Sequence, residues 1–403
     1  MKIMSVVGIL ALIAIAYIFS TNRKAIKWRT VLAAFAVQFA FAFLVLYTAW
    51  GRKALEWISN GVQAVLNTAG DGIAFVFGTA VGGDNFVFAF QVLPIIIFMS
   101  SLIALLYYLG VMQWVIRILG TALAKALGTS RKESLSATAN IFVGQTEAPL
   151  VIKPYLPTMT QSELFAVMVG GLASVAGSVL AGYAALGVPL EYLLAASFMA
   201  APAGLLFAKI IVPETEEYDD DIEIVEDEED RAANFVDAAA RGASDGLFLA
   251  LNVGAMLLAF VSLIALVNLI LGSVGGLFGF DSLSLELILG YVFAPLAFVI
   301  GVPWVDAVQF GSFLGQKLVL NEFVAFSEFA PIIGSGDLSA RTEAMIAFSL
   351  CGFANISSLA ILLGGLGGMA PNRRGDIARM GVLAILAGTL ANLMSATLAG
   401  LLL

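Results

Sequence analysis

Two glutamates lie in polar stretches of an otherwise apolar chain, and each is followed by a run of small and polar residues. Glu147 lies in NIFVGQTEAPL at 140–150, and ASVAGS follows at 173–178. Glu322 lies in LNEFVAF at 320–326, and CGFANISS follows at 351–358. A charged side chain at the centre of a membrane costs about 2.5–3.5 kcal/mol on insertion scales. Two such carboxylates at matching places therefore indicate a functional site.

The first polar stretch predicts a site for a heterocycle. Gln145, Thr146 and Glu147 supply an amide, a hydroxyl and a carboxylate, which suit the donors and acceptors along a heterocycle edge. Gly144 and Pro149 bracket the three residues and allow an abrupt turn. The alternative is that the amide and the carboxylate only satisfy backbone groups freed by the proline. We favour binding, because a carboxylate exceeds what capping requires.

The second polar stretch predicts a site for a sugar. Glu322 with Asn321, and Asn355 with Ser358, offer a carboxylate, amides and a hydroxyl, and the last two residues lie one helical turn apart. This set suits vicinal hydroxyls. Phe353 could cover a base or a sugar, although a phenylalanine more often serves packing.

A third group of oxygens suits a small hard cation. Asn140 and Ser174 can offer side-chain oxygens, and unwound backbone at Val143 and Val175 can offer carbonyls to Na⁺. Hydrogen bonding between helices is the alternative for the asparagine and the serine. The spacing of these residues does not decide between the two interpretations.

The composition predicts that the chain carrying these groups is an all-α integral membrane protein. Of 403 residues, 60% are hydrophobic and 12% charged, and the mean hydropathy is +0.97. A membrane helix needs about 20 apolar residues. We expect eight such helices, at about 4–20, 29–50, 86–109, 161–183, 190–212, 246–272, 342–368 and 379–402.

Several classes of function are excluded. The chain has no histidine and one cysteine, Cys351, so it can build no histidine-based triad or zinc site and no intrachain disulfide. The net charge of −9 owes much to 213–230, a predicted solvated cytoplasmic linker that holds 12 of the 29 acidic residues. No basic platform for nucleic acid is present.

Two regions are too polar to cross the membrane and too apolar to be loops. We predict re-entrant helical hairpins at about 133–159, which holds three prolines, and at about 285–330. Amphipathic stretches at 51–68 and 111–128 predict interfacial helices. Lys153 and Lys317 lie near the hairpin carboxylates and are expected to pair with an acid or to snorkel to an interface.

The order hairpin, span, span occurs twice, at 133–212 and 285–402. Lysine and arginine are enriched in the loops 110–132, 213–245 and 369–378, which places those loops in the cytoplasm and both termini outside. The two halves then have opposite orientation. An inverted repeat of this kind places substrate and ion sites near the bilayer midplane.

Four strings together resemble the concentrative nucleoside transporter family: GQTEAPL at 144–150, ASVAGSV at 173–179, LNEFVAF at 320–326 and CGFANISSLAILLGG at 351–365. The resemblance covers nearly the whole chain and is weakest before about residue 85. It implies a homotrimeric symporter of the bacterial inner membrane that imports nucleosides such as uridine with Na⁺, and that needs no organic cofactor. A proton-coupled nucleoside or nucleobase transporter and, more distantly, a membrane-embedded enzyme are the alternatives.

The resemblance also implies roles for residues and regions. Gln145, Thr146, Glu147 and Val179 would contact the nucleobase, and Glu322, Asn355, Ser358 and Phe353 the ribose, whereas Asn140, Val143, Ser174 and Val175 would bind Na⁺. An elevator-type transport domain would move past a scaffold. The expected division is scaffold 1–109 with an interfacial helix, interfacial helix 110–132, transport domain 133–212, acidic connector 213–245, scaffold 246–284 and transport domain 285–403.

Overall fold

The computed structural model describes residues 1–78, 87–218, 232–280 and 282–403, and all the regular structure in these ranges is helical. Most of the predicted acidic linker, from residue 219 onward, lies outside the described residues. The amino-terminal helices are α1 (Lys2–Ile18), α2 (Trp28–Ala42, continued by a π-helical turn to Tyr47), α3 (Ala49–Phe77), α4 (Phe88–Gln91), α5 (Leu93–Tyr108) and α6 (Val111–Leu127). The interfacial position of α3 and α6 stays a prediction.

The next helices include the first predicted hairpin and a helix interrupted at its centre. Hairpin 1 consists of α7 (Arg131–Ala139), a tip, and a 3₁₀ helix (Ala148–Thr158). It is followed by α8 (Gln161–Ala173), α9 (Gly177–Ala185), α10 (Leu190–Ile211) and the long α11 (Phe235–Gly276). The three residues between α8 and α9 are named here the first break.

The last helices repeat this order. They are α12 (Leu285–Val299), α13 (Trp304–Val319), α14 (Glu322–Phe329), α15 (Ala340–Leu350), α16 (Ile356–Met369) and α17 (Arg374–Leu402). The five residues between α15 and α16, 351–355, are the second break. In this order α12 corresponds to α6, the pair α13 and α14 to hairpin 1, and α17 to α10.

The bounds of the second hairpin differ from those predicted. The region 285–330 contains three helices, because α12 and α13 are bent by 120° relative to each other. Gly301 at this turn has a φ of +102°, which favours glycine, and Pro303 caps the start of α13. Hairpin 2 is therefore the pair α13 and α14, and α12 is a separate helix before it.

The predicted membrane spans agree with the helices in position but not in every length. In the described residues six helices are long and apolar enough to cross a membrane, among them the broken helix Gln161–Ala185. The predicted first span, α1, has 17 residues, and the predicted span 342–368 is divided by the second break. The count of eight crossings and the opposite orientation of the halves stay predictions.

The helices form a buried inner bundle and a more exposed outer layer. The most apolar windows of Gln161–Ala185 and Leu190–Ile211 are 94% and 89% buried, against 6% for α11 and 11% for the span formed by α4 and α5. Helices α5 and α11 pack along each other. Helices α1 and α2 pack on α10 and α17, so the packing groups them with the inner bundle rather than with the rest of the predicted scaffold 1–109.

Candidate substrate and ion site

The tip of hairpin 1 is non-helical because the sequence ends α7 and prevents an α-helix from following. Asn140 is the C-cap of α7. The second arm of the hairpin contains three prolines and forms a 3₁₀ helix rather than an α-helix. Proline lacks the amide N–H that the interior of an α-helix requires. The tip packs at the junction of the first break with α9, where the amide of Gly177, the first residue of α9, donates to the carbonyl of Phe142 at 3.0 Å.

The base of hairpin 1 is fixed by charge. Lys209 near the end of α10 forms an ion pair with Glu133 of α7 at 2.6 Å and donates to Ser162 of α8 at 2.9 Å. These groups are buried, so the pair is poorly screened by water. The hairpin is therefore attached firmly at its base, and its tip reaches the helix break.

The two helix breaks contact each other directly. Ser174 in the first break is extended, with φ −114° and ψ 174°, and its carbonyl accepts a hydrogen bond from the amide of Phe353 in the second break at 3.1 Å. Backbone groups buried away from water need hydrogen-bond partners. Here the first break supplies the carbonyl and the second break supplies the amide. The polar residues of the two halves are thereby brought to one region of the inner bundle.

Glu322 is held between the two halves of the chain. Its Oε1 accepts from the hydroxyl of Tyr183 on α9, and its Oε2 accepts from Nδ2 of Asn355, both at 2.9 Å. The side chain is buried, and the ring of Tyr183 stacks on Phe326 with centroids 4.4 Å apart. Glu322 and Asn355, two members of the set predicted to bind a sugar, are therefore hydrogen-bonded to each other.

Asn355 also starts α16. Its Oδ1 accepts from the amide of Ser358 at 2.8 Å and from the hydroxyl of Ser357 at 2.7 Å. An asparagine at the N-cap commonly satisfies such free amides. The same residue thus connects Glu322 to the start of a helix, which fixes the position of both.

The residues predicted to contact a nucleobase lie on the tip of hairpin 1 and on α9. Gln145 and Val179 are buried, and the Oε1 of Gln145 has no hydrogen-bond partner among the described residues. Thr146 packs on Gly365, where an added Cβ would lie 2.7 Å from the threonine methyl. Glu147 accepts from the amide of Gly144 at 3.1 Å.

A cavity of about 490 Å³ lies beside Glu147. Its walls come from hairpin 1, α5, α6, α9 and α11, and they include Phe142, Ser178, Tyr107 and Asp245. A pocket of 300–1,000 Å³ is the usual size for a small-molecule ligand. The cavity extends to Arg241, which lies in the loop 213–245 predicted to face the cytoplasm.

The predicted sodium ligands lie around the junction of the tip with the first break. Asn140 donates through Nδ2 to the carbonyl of Ser136 at 2.9 Å, while its buried Oδ1 has no partner among the described residues. Ser174 donates its hydroxyl to the carbonyl of Gly170 at 2.9 Å and keeps its oxygen lone pairs available. Val143 and Val175 are buried beside them. An unpartnered buried oxygen fits the oxygen ligation that Na⁺ prefers.

Three residues of this region were not assigned by the sequence. Tyr183 lies one helical turn after Val179, and this spacing was the only signal for it. Asn392 of α17 donates to the carbonyl of Ala173 at 2.6 Å and to that of Cys351 at 3.0 Å. Lys317 is fully buried, which excludes the snorkelling alternative and leaves pairing with an acid.

Models of one protein family match nearly the whole chain. They are described as the Na⁺ dependent nucleoside transporter N-terminus at residues 7–80, nucleoside recognition at 89–190, and the Na⁺ dependent nucleoside transporter C-terminus at 192–400.

Relatives and solved structures agree with these models. An uncharacterized transporter of Bacillus subtilis, YutK, is 58% identical over 98% of both chains, and the nucleoside permease NupC of Helicobacter pylori is 52% identical over 99% of this chain and 97% of that one. CNTnw in an inward-facing substrate-bound state is 55% identical and covers 99% of this chain and 98% of its own, with a TM-score of 0.95. A CNTnw double variant in an outward-facing state is 56% identical and covers 100% and 98%, with a TM-score of 0.97.

Proposed function

The chain belongs to the family of Na⁺-dependent, concentrative nucleoside transporters, and from this premise we propose that it imports nucleosides such as uridine with inward-moving Na⁺. Members of this family are multi-pass transporters of the membrane and not enzymes. The relative CNTnw has been seen inward-facing and, as a double variant, outward-facing, which agrees with alternating access. The bacterial permeases among the relatives support a place in the inner membrane.

The observation that carries the proposal is the direct contact between the two helix breaks. Through the bond from Phe353 to Ser174, residues of opposite halves converge in the buried inner bundle. Glu322 is held there by Tyr183 of the first half and Asn355 of the second. Broken helices with such polar groups at their ends are the usual construction of a substrate site in a transporter with two repeats.

We assign the sugar to Glu322, Asn355 and Ser358, with Phe353 beside it, because a carboxylate and an amide in fixed positions can each bind a ribose hydroxyl. The base is assigned to Gln145, Thr146, Glu147 and Val179. The unpartnered oxygen of Gln145 supports this assignment, because a base could supply the missing donor.

Sodium at Asn140, Val143, Ser174 and Val175 would join the tip of hairpin 1 to the first break. Ordering of the tip by the ion places Gln145 and Glu147 for the base, so Na⁺ tightens nucleoside binding. By linkage, the nucleoside tightens sodium binding by the same factor. The coupling of the two fluxes follows from this mutual dependence.

Transport follows when the inner bundle moves past the outer helices, in the manner of an elevator, within a homotrimer. The exposed apolar faces of α5 and α11 support an outer layer that contacts lipid or other subunits. One positive charge moving inward gains about 2.3 kcal/mol per 100 mV. That energy concentrates a substrate about fiftyfold before the sodium gradient is counted.

Counterflow of radiolabelled uridine in proteoliposomes tests the function. Unlabelled nucleoside inside should accelerate entry of label in sodium buffer, and Glu322→Gln should abolish this exchange. A channel or an enzyme would show no acceleration by nucleoside on the far side. Replacement of sodium by choline at two pH values tests the coupling ion, since uptake that persists in choline and rises in acid would assign it to the proton.

A further inference from the structure

Lys317 is a fully buried ammonium that neither the substrate site nor the sodium site uses. It lies on α13, near the tip of hairpin 2. Its Nζ donates to the carbonyl of Ser349 and to Oδ1 of Asn392, both at 2.7 Å. A buried charge is very unfavourable unless it is paired and hydrogen-bonded. The position therefore needs a compensating negative charge.

Glu322 supplies this negative charge. It follows Lys317 by five residues across the tip of hairpin 2 and is also buried. Both side chains reach the second break, because Glu322 accepts from Asn355 at its end, and Asn392, the partner of Lys317, donates to Cys351 at its start. A second source is the carbonyl end of α15, where Ser349 lies. The C-terminus of a helix carries a partial negative charge that favours a cation.

The ammonium lies at a place in the second half that matches the proposed sodium site in the first. Sodium would lie between the end of α7 and the end of α8, at the first break. Lys317 reaches from the last turn of α13 to the end of α15, at the second break. In the repeated order of helices, α13 corresponds to α7 and α15 to α8.

Asn392 connects the two places. Its Oδ1 accepts from Lys317, and its Nδ2 donates to Ala173 before the first break and to Cys351 in the second. Gly352 lets this side chain approach, because a Cβ there would collide with the Asn392 amide. The carbonyl ends of α8 and α15 therefore both accept hydrogen bonds from the side-chain amide of Asn392. The oxygen of the same amide accepts from Lys317.

We propose that Lys317 is a tethered cation that does for the second helix break and Glu322 what Na⁺ does for the first break. It neutralises Glu322, so this half of the site needs no ion from solution. The comparison with sodium rests on the proposed function. The compensation of the Lys317 charge by Glu322 does not depend on that function.

A double-mutant cycle on thermal stability tests the proposal. Lys317→Met, Glu322→Gln and the double variant are purified in detergent and melted in choline buffer without nucleoside. Each single variant leaves one buried charge unpaired, and we expect Lys317→Met to lower the melting temperature by roughly 10 °C. The double variant removes both charges and should melt above Lys317→Met.

Simple addition of the two losses would overturn the proposal, because it would mean that Lys317 serves only as a hydrogen-bond donor. If Lys317→Met alone yields no folded protein, Glu322→Gln must restore a folded peak in fluorescence-detected size exclusion. Failure to restore it would also overturn the pairing.

Lys209→Met provides the matched control. Lys209 is another buried lysine, but its partner is Glu133, at 2.6 Å. When Lys209→Met is combined with Glu322→Gln, the two decreases in melting temperature should add. If Glu322→Gln rescued Lys209→Met as much as it rescues Lys317→Met, a specific pairing of Lys317 with Glu322 would be refuted. Since no transport is measured, a protein that failed to carry nucleosides could still show the predicted coupling.

Discussion

Glu322, the carboxylate proposed to bind the sugar, is already oriented by hydrogen bonds within the protein. Both of its carboxylate oxygens accept hydrogen bonds, from Tyr183 and from Asn355. Groups that are already in their binding positions lose less entropy when a ligand binds. The hydroxyl of Tyr183 is therefore expected to affect affinity although it is assigned no contact with the substrate.

Tyr183→Phe tests this role. It removes one hydrogen bond to a charged group and leaves the ring in place against Phe326, so the KM for uridine should rise roughly tenfold or more. Initial rates of uptake in proteoliposomes measure the change. Tyr192→Phe, on α10 beside Phe348, is the control and should keep the parent KM. An unchanged KM in Tyr183→Phe would show that Glu322 needs no support from α9.

Asn140→Ala tests the ion site at the same scale. The substitution removes the unpartnered Oδ1, so the sodium concentration for half-maximal uptake should rise about tenfold, which corresponds to about 1.4 kcal/mol. Uptake of uridine across a series of sodium concentrations provides the measurement. Asn67→Ala, an exposed amide on α3 bonded to Gln63, is the control. The same sodium dependence in both variants would remove Asn140 from the site.

The sequence identified most of these residues by chemistry alone, because polar groups are conspicuous among apolar ones. It predicted that Glu322 and Asn355 act together, and the structure places them 2.9 Å apart. It could not predict the partners of Lys317. The sequence left two alternatives for this lysine, pairing with an acid or snorkelling to an interface, and only the packing, which buries the side chain completely, excludes the second.

Among the elements, the contact of the hairpin 1 tip with the first break is the structural basis of the proposed coupling. The amide of Gly177 approaches the carbonyl of Phe142, and glycine permits the approach. A Cβ at this position would lie 2.7 Å from that carbonyl oxygen. Separation of the tip from the break would disturb sodium and nucleoside together.

Gly177→Ala is therefore expected to weaken both sodium activation and uridine affinity by several-fold, as linked binding requires. Uptake at varied sodium and varied uridine provides both constants. Gly364→Ala is the matched control, because an added Cβ there meets open space and alanine favours a helix more than glycine does. Loss of only one of the two constants in Gly177→Ala would contradict the coupling through this contact.

The predicted elements were correct where apolar length and proline decide the structure, as in hairpin 1 and α10. The predicted bounds of hairpin 2 included α12, because the sharp turn between α12 and α13 was not recognised from the sequence. The 120° turn between them comes from Gly301 and Pro303, and its direction depends on how α12 packs on α13.

On the scale of the whole molecule, the inner bundle and the outer helices α5 and α11 meet at the cavity beside Glu147. The inner bundle and the outer helices both contribute walls to the cavity. Movement of the bundle past the outer helices would therefore change how a solute reaches the cavity. Helices α1 and α2 pack on α10 and α17 and are expected to move with the inner bundle.

Labelling of single cysteines tests the predicted sidedness. Cys351 is buried and is replaced by alanine, and a cysteine is then placed at Leu150 in the cavity wall or at Leu277 after α11. These side chains are 47% and 82% exposed. A membrane-impermeant thiol reagent should modify Leu150→Cys from the cytoplasmic side and Leu277→Cys from outside. Modification of both from one side would contradict the topology.

By itself the sequence determined the membrane class, the helical content and the family, and it predicted two carboxylate sites, because hydropathy and local motifs are properties of short segments. Only the tertiary structure decided that the two breaks bond to each other, that Tyr183 completes the Glu322 site and that Lys317 and Asn392 hold the helix ends. These contacts join residues far apart in the chain. Their formation depends on packing of whole helices, which no local pattern specifies.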